Sequence, residues 1–454
     1  MVSNTLQKYL KNKTSSLKPL DLFHEAAKRI PAYKNFLKKH KVNPSNIKTM
    51  KDFVKIPQMT KENYILAYDF KSRTWDGDTR NEHMISTSSG TMGEPTFWPR
   101  DIQTVVEGAM YHEMIFDQCF GMKKKRTLFI NGFALGNWIA GTFTSECCFL
   151  VSLKGFPLTS ATPGYSSEEI VKLLKELSPQ YSMTIITGHA PFLKQLVEEA
   201  VKAGIDFNKI DVRLLGTGQA ITENWRKYVV NLLKKKDYSH SVVNLYGSAD
   251  AALMAYESPT SILLRKKFSE HPKKARALFN DERLPSIYSY DPRIVYFESV
   301  DGELCVTKYS SVPLIRYNMH DKGGILKNDM LYLYGREKFM VKIYGANVYT
   351  EHVQHALNHE RLQPHLTGRF AMEMVYDSDQ NPQLLCRVEL NIAVSADAII
   401  EKKVKETFID EVRKMNSEYN DALSRMGERA HPNIVLHEFG HKKYFPAGKV
   451  KKTA

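Results

Sequence analysis

Between residues 127 and 247 short apolar runs alternate with amphipathic stretches, and that alternation constrains the fold more than any other feature. TLFINGF, MTIITG, VRLLGTG and VVNLYG are rich in β-branched and aromatic residues. Between them lie IVKLLKEL, FLKQLVEEAVKAG and ENWRKYVVNLLKK, where apolar residues return every three or four positions. Short strands covered by the helices between them predict a layered α/β domain with largely parallel strands. CCFLVSL, near residue 150, reads as a further core strand.

On either side the pattern changes. The first ~80 residues have helical spacing, as in LFHEAAKRIPAYKNFLKKH. Residues 294–334 switch to strand-like IVYFES, GELCVTKY and MLYLYG with tight DG and ND turns, which predicts a small β subdomain. After GREK comes a segment with its own apolar core set: strand-like MVKIYG, a helix at EHVQHALNH, a hairpin around YDSDQNPQ, one long helix from IIEKKVKET to LSRM, and strand-like NIVLHEF. The expected division is a large N-terminal domain, 1–336, and a small α+β C-terminal domain, 337–454.

The chain of 454 residues is long enough for two such domains. No apolar stretch approaches the ~20 residues of a membrane span. Nor does an apolar region follow the positive charges of the N-terminus, so no secretory signal is expected. Five cysteines form neither a disulfide framework nor a C-x-x-C metal pair, which fits a reducing cytoplasm. The net charge of +14 is dispersed in groups such as KKKR and RKK without interleaved aromatics, so it reads as solvated charge and steering of anionic substrates, not nucleic-acid binding.

One stretch breaks with its surroundings. STSSGTMGEPT, residues 86–96, crowds small hydroxylated residues around Gly90 and Gly93. Glycine lets backbone N–H groups approach phosphate oxygens without an intervening Cβ, and Ser88, Ser89 and Thr91 add donors. Such a loop suits a polyphosphate. It is not a Walker A loop, because Glu94 follows Gly93 where a lysine would stand.

Here the sequence resembles the adenylate-forming superfamily, and within it the phenylacetate–coenzyme A ligase branch, whose loop reads close to SSGTTGxPT. The likeness continues in order through IPAYKNFL, MKDFVKIPQMTKENY, LLGTGQAITENWR, NLYGSADAAL, DGELCVT, PLIRYNMHD, GREKFMVKIYGANVYTEHV and FPAGKVKK. The resemblance implies a two-step reaction. A carboxylate attacks the α-phosphorus of ATP to give an acyl adenylate and pyrophosphate, and a thiol, usually coenzyme A, then takes the acyl group. ATP, magnesium and coenzyme A are the implied cofactors. A small carboxylic acid is the partner, joined at most by a second copy of the chain.

The resemblance also assigns roles. Lys449 stands at the adenylation lysine, which reaches the site from a mobile C-terminal domain; alone it would read as a solvated tail lysine. Asp321 stands at the aspartate that holds the ribose hydroxyls, although it would also suit a turn ahead of Lys322-Gly323-Gly324. Arg336 matches the arginine at the domain boundary and Lys338 the hinge. Tyr246, Gly247 and Ser248 would face adenine and α-phosphate, with Gly218, Gln219 and Ala220 opposite. Asp250 stands at the magnesium carboxylate.

Departures accompany the match. Where the family has Y-G-x-[ST]-E, this chain has Tyr246-Gly247-Ser248-Ala249-Asp250, losing a hydroxyl and shortening the carboxylate by one methylene. Where the family has Y-R-T-G-D, it has Tyr317-Asn318-Met319-His320-Asp321. These changes keep open a second class, a nucleotide-binding member of the fold that adenylates without transfer or does no chemistry. The acid is expected beside NGFALGNWIAG and GHAP, where Phe133, Ala134, Trp138 and His189 would suit an aryl or other apolar acid. HEFGH at 437–441 matches H-E-x-x-H literally. β-branched NIVL before it and Gly440 within it argue against the helix that a zinc site of this kind needs.

Overall fold

The computed structural model describes residues 4–14, 16–87, 96–218, 220–281, 283–335, 340–344, 346–376 and 382–446. Contacts divide the chain into two units. One comprises Met1–Gly164, Leu245–Ser261 and Ile287–Gly335; the other comprises Tyr165–Asn244, Ile262–Ser286 and Arg336–Ala454.

In the first unit, helix Asn4–Leu10 is followed by helices Pro19–Arg29 and Pro31–Lys39. The latter two open on proline, whose fixed φ suits a first turn and whose missing N–H would have had no helical partner there. Their buried faces bring Phe23, Tyr33 and Phe36 against Phe53 and Tyr64, with ring centroids 5.6 Å apart for Phe36–Tyr64 and 6.3 Å for Phe23–Phe53. Strand Thr127–Ile130 is buried along its length and runs parallel to Leu158–Ala161.

Between those two strands lies helix Ile139–Leu153, and it contains CCFLVSL. The strand expected there is therefore corrected to a helix. Its buried residues include Phe143, Thr144, Cys147, Cys148 and Val151, a spacing of one, three and four that only a helical period explains.

A longer run of strands follows in the order Val295–Val300, Glu303–Lys308, Leu314–Leu326, Met330–Gly335, Ser286–Ser289, Ala252–Tyr256 and Val242–Ser248, the last contributing its residues 245–248 to this unit. Asp301 and Gly302, with φ of 52° and 77°, close the first of its hairpins. Two consecutive left-handed residues match the right-handed strand twist. Val242–Ser248 pairs antiparallel with Ala252–Tyr256, a strand beyond the alternating run. Residues 249–251 are too few for the crossover that a parallel pairing requires.

The second unit contains the parallel pair Met183–His189 and Val212–Thr217. Helices Ser167–Glu176, Ala190–Lys202 and Glu223–Leu232 accompany it. Its C-terminal part has the hairpin Met340–Ile343 with Ala346–Tyr349, helix Thr350–Leu357, and a sheet of Leu366–Tyr376, Pro382–Leu390 and Asn433–His437. A core that includes Val348, Val353, Leu366, Val388, Val404, Phe408 and Ile434 joins these elements. The single long helix expected after residue 398 is two helices, Ala398–Met415 and Ser417–Met426. Asn416 makes the break: its backbone is extended and its side chain accepts from the N–H of Tyr419, capping the second helix. Among the described residues no helix is long and apolar enough to cross a membrane. All five cysteines are buried free thiols.

Candidate functional site

The loop STSSGTMGEPT is carried by a two-stranded hairpin, Met84–Thr87 with Phe97–Arg100. Ser88, Ser89, Gly90, Thr91 and Gly93 lie outside the described residues, as do Gln219, Arg336, Lys338 and Lys449. The hairpin itself is informative. Ser86, Trp98 and Arg100 are buried, whereas Ile85 and Phe97 are half exposed, so one face of the ribbon is turned inward. The N–H of Thr87 donates to the carbonyl of Asn137 at 2.8 Å, and Thr87 bridges to Trp138. The hydroxylated loop therefore leaves beside NGFALGNWIAG. Of the residues expected near an acid there, Phe133 is buried, Ala134 is half-buried and Trp138 is 45% exposed. Gly141 abuts this loop because a Cβ on it would stand 2.2 Å from the carbonyl oxygen of Ala134.

The motif Tyr246–Asp250 occupies the end of strand Val242–Ser248 and the turn beyond it. Gly247 sits at an irregularity in the pairing, where a Cβ would meet the carbonyl oxygen of Ala252 at 2.8 Å. Any larger residue would open that turn. The Oγ of Ser248 accepts from the N–H of Ala251 at 3.0 Å, so this hydroxyl serves the turn. Tyr246, 7% exposed, packs its ring against Tyr288 and Phe297, at centroid distances of 5.7 and 6.4 Å. Its phenol donates to Oδ2 of Asp321 at 2.7 Å.

Asp321 belongs to strand Leu314–Leu326, as does Tyr317, whose phenol donates to Oδ2 of Asp250 at 2.7 Å. Two carboxylates of the expected nucleotide site are thus each oriented by a tyrosine. His320, at the position of the family's glycine, has φ of 53°. The backbone here is in the left-handed conformation that glycine adopts easily. Asn318 helps hold it there by accepting the His320 N–H at 2.7 Å.

Sequence reasoning missed Arg100 and Tyr317. Arg100 is fully buried, and its guanidinium donates to the carbonyls of Ala249 and Asp250. Its signal was legible: Trp98 and Arg100 share the inward face of a strand, where alternation calls for apolar residues.

In the second unit His189, Gly218 and Ala220 lie at the ends of the parallel pair, where His189 is in register with Thr217. The Nδ1 of His189 lies 3.0 Å from the Thr217 carbonyl, so Nδ1 carries the proton as donor. Gly218 has φ of 88°, and a Cβ there would stand 2.6 Å from that same nitrogen. Ala220 is exposed. His437 ends strand Asn433–His437 and His441 follows outside any helix; their rings stand 4.5 Å apart, but among the described residues no third ligand joins them. Among the described residues no group of three metal-ligating side chains is placed to hold an ion.

No family model and no curated protein matches the sequence. Solved structures do. The chain is similar to a 2-hydroxyisobutyryl-CoA ligase in the postadenylation state in complex with 2-HIB-AMP, with a TM-score of 0.65 and 15% identity over 99% of this chain and 86% of that one. An open conformation of that ligase with 2-HIB-AMP and CoA gives 0.55 and 14% over 95% and 87%. The anthranilate CoA ligase AuaEII with anthranoyl-AMP gives 0.54 and 12% over 79% and 64%. The chain has the fold of these acyl-CoA ligases.

Proposed function

We propose that this protein uses ATP to convert a small carboxylic acid to an acyl adenylate and passes the acyl group to a thiol, coenzyme A being the expected acceptor. The observation that carries this reading is the pair of tyrosine–carboxylate hydrogen bonds, Tyr246 to Asp321 and Tyr317 to Asp250, beside the hairpin of the hydroxylated loop. A carboxylate that must hold ribose hydroxyls or a metal works best when its orientation is fixed in advance. Neighbours of the same fold hold acyl adenylates, and one also holds CoA.

In this reading Asp321 holds the ribose, Tyr246 and Gly247 border the adenine and α-phosphate, and Ser88, Ser89, Gly90, Thr91 and Gly93 supply donors to the phosphates. Asp250 fits magnesium: that ion takes one or two carboxylates and completes its shell with phosphate oxygens and water. When bound it would neutralise charge on the phosphates. Lys449, carried by a mobile domain of residues 337–454 hinged at Lys338 and flanked by Arg336, stabilises the charge of the adenylation step. Trp138, with Phe133 and Ala134, favours an aryl or other apolar acid. Five buried reduced thiols suit a cytoplasmic setting.

One observation favours a second reading, nucleotide binding without turnover. Ala249 has no hydroxyl with which to meet a phosphate. Hydroxamate trapping across a library of carboxylic acids, run beside ATP–pyrophosphate exchange, separates the two. A trapped hydroxamate supports ligase chemistry; Mg·ATP binding with neither signal for any acid sinks it.

A further inference from the structure

The side chain that least resembles ordinary packing in the first unit is Arg100. It is fully buried, and burial pushes its pKa down to about 10. Among the described residues it has no ion-pair partner. Asp101, next in the chain, turns away to cap helix Ile102–Met114, accepting from the N–H of Thr104 at 2.9 Å and from the Tyr309 phenol at 3.0 Å. Glu82 accepts from the Ser311 hydroxyl. Asp250, Asp101 and Glu82 all act on Arg100 through space, Asp250 most strongly, and among the described residues none of their carboxylates accepts a hydrogen bond from it.

The guanidinium instead spans four oxygens. Nη2 donates to the carbonyl of Ala249, Nη1 to that of Asp250 at 3.3 Å, Nη1 to Oγ of Ser310 at 3.5 Å and Nε to Oγ of Ser86 at 3.5 Å. A buried cation with no carboxylate in hydrogen-bond contact costs several kcal/mol, and the nearby charge of Asp250 offsets only part of that cost. Packing alone would be served better by an apolar residue. What the charge gains is control of two things at once: the backbone turn that presents Asp250, and the strand from which residues 88–95 depart.

We propose that Arg100 is a positioning residue for metal-nucleotide binding, acting through Asp250 by fixing the carbonyls of residues 249 and 250. The inference rests on the proposed function, since it takes Asp250 to face a magnesium ion. Lysine cannot replace the fork, because a single ammonium offers three donors from one point and cannot span both carbonyls and both hydroxyls.

The test is binding, measured by calorimetry with a non-hydrolysable ATP analogue, with and without magnesium, on wild type, Arg100→Lys, Asp250→Asn and the double variant. Arg100→Lys should weaken the magnesium complex roughly tenfold while leaving metal-free affinity within about twofold, and its effect should vanish in the Asp250→Asn background. A folded Arg100→Lys with unchanged magnesium-complex affinity overturns the proposal, as do losses that multiply in the double variant. If Arg100→Lys does not fold, the double variant Ser86→Ala and Ser310→Ala decides: about threefold weaker binding supports the tether, unchanged binding removes it. Wild type that binds no magnesium–nucleotide complex is a different outcome, because it defeats the proposed function before Arg100 is at issue.

Discussion

The phenol of Tyr246 donates to Oδ2 of Asp321 across 2.7 Å, and both side chains are more than nine-tenths buried. The bond fixes the rotation of a carboxylate that, in the proposed function, must meet two ribose hydroxyls together. A hydrogen bond to a charged group is worth roughly 1.5–3 kcal/mol, so Tyr246→Phe should raise KM for ATP by about tenfold or more with kcat little changed. Asp321→Asn should raise it further. Steady-state kinetics with ATP varied checks both, and equal KM values in Tyr246→Phe and wild type would show that the bond does not order the ribose site.

Gly218 and His189 make a second pair whose geometry forbids change. Glycine tolerates the φ of 88° at residue 218, and a methyl group there would lie 2.6 Å from His189 Nδ1. Gly218→Ala therefore meets backbone strain and a displaced imidazole together, at an expected cost of about 1–3 kcal/mol. A fall in thermal midpoint of several degrees, relieved in part when His189 is also truncated to alanine, is the expected result. Equal destabilisation with and without His189 would assign the whole cost to the backbone.

How much of this was legible in the sequence depends on whether local signals and tertiary context agree. The strands Met183–His189 and Val212–Thr217 and the turn at Asp301-Gly302 follow from composition and period. CCFLVSL misled because its content of aromatic and β-branched residues outweighed its period; only counting back to Phe143 and Thr144 reveals the helix. Asn416 looked like one more polar residue on a helix surface until its side chain was seen to cap a new helix. Tyr317 carried no local signal, because what makes it useful is a partner 67 residues away.

Glu82 gives the stability a pH dependence of known sign. Burial pushes its carboxyl up from 4.5 to about 7, against the pull of the Ser311 hydroxyl, His83 and Arg100. A carboxyl whose folded pKa exceeds its unfolded one contributes stability that is full below the unfolded value and is lost as pH rises through the folded value. The window is therefore about 4.5 to 7. His83, raised chiefly by its hydrogen bond to Glu146, loses its contribution in the same direction, so wild type alone does not isolate Glu82. Glu82→Gln does: its thermal midpoint relative to wild type should climb between about pH 5 and pH 8 and then level off. A difference that stays flat with pH would mean that the carboxyl titrates normally.

Lys449 is the residue on which adenylation and binding part company. In the proposed function it contacts charge that develops during the reaction, so its removal should spare nucleotide affinity and strike the rate. Loss of one such donor costs on the order of 10²–10³ in rate, hence Lys449→Ala should lose ATP–pyrophosphate exchange by that factor while the magnesium–nucleotide affinity stays within about threefold. The second half-reaction provides an internal control: thioester formation from a supplied acyl adenylate should survive, because that step has already passed the charge that the lysine stabilises. Loss of both half-reactions to the same degree would place Lys449 in the scaffold of the C-terminal segment, not at the reacting phosphorus.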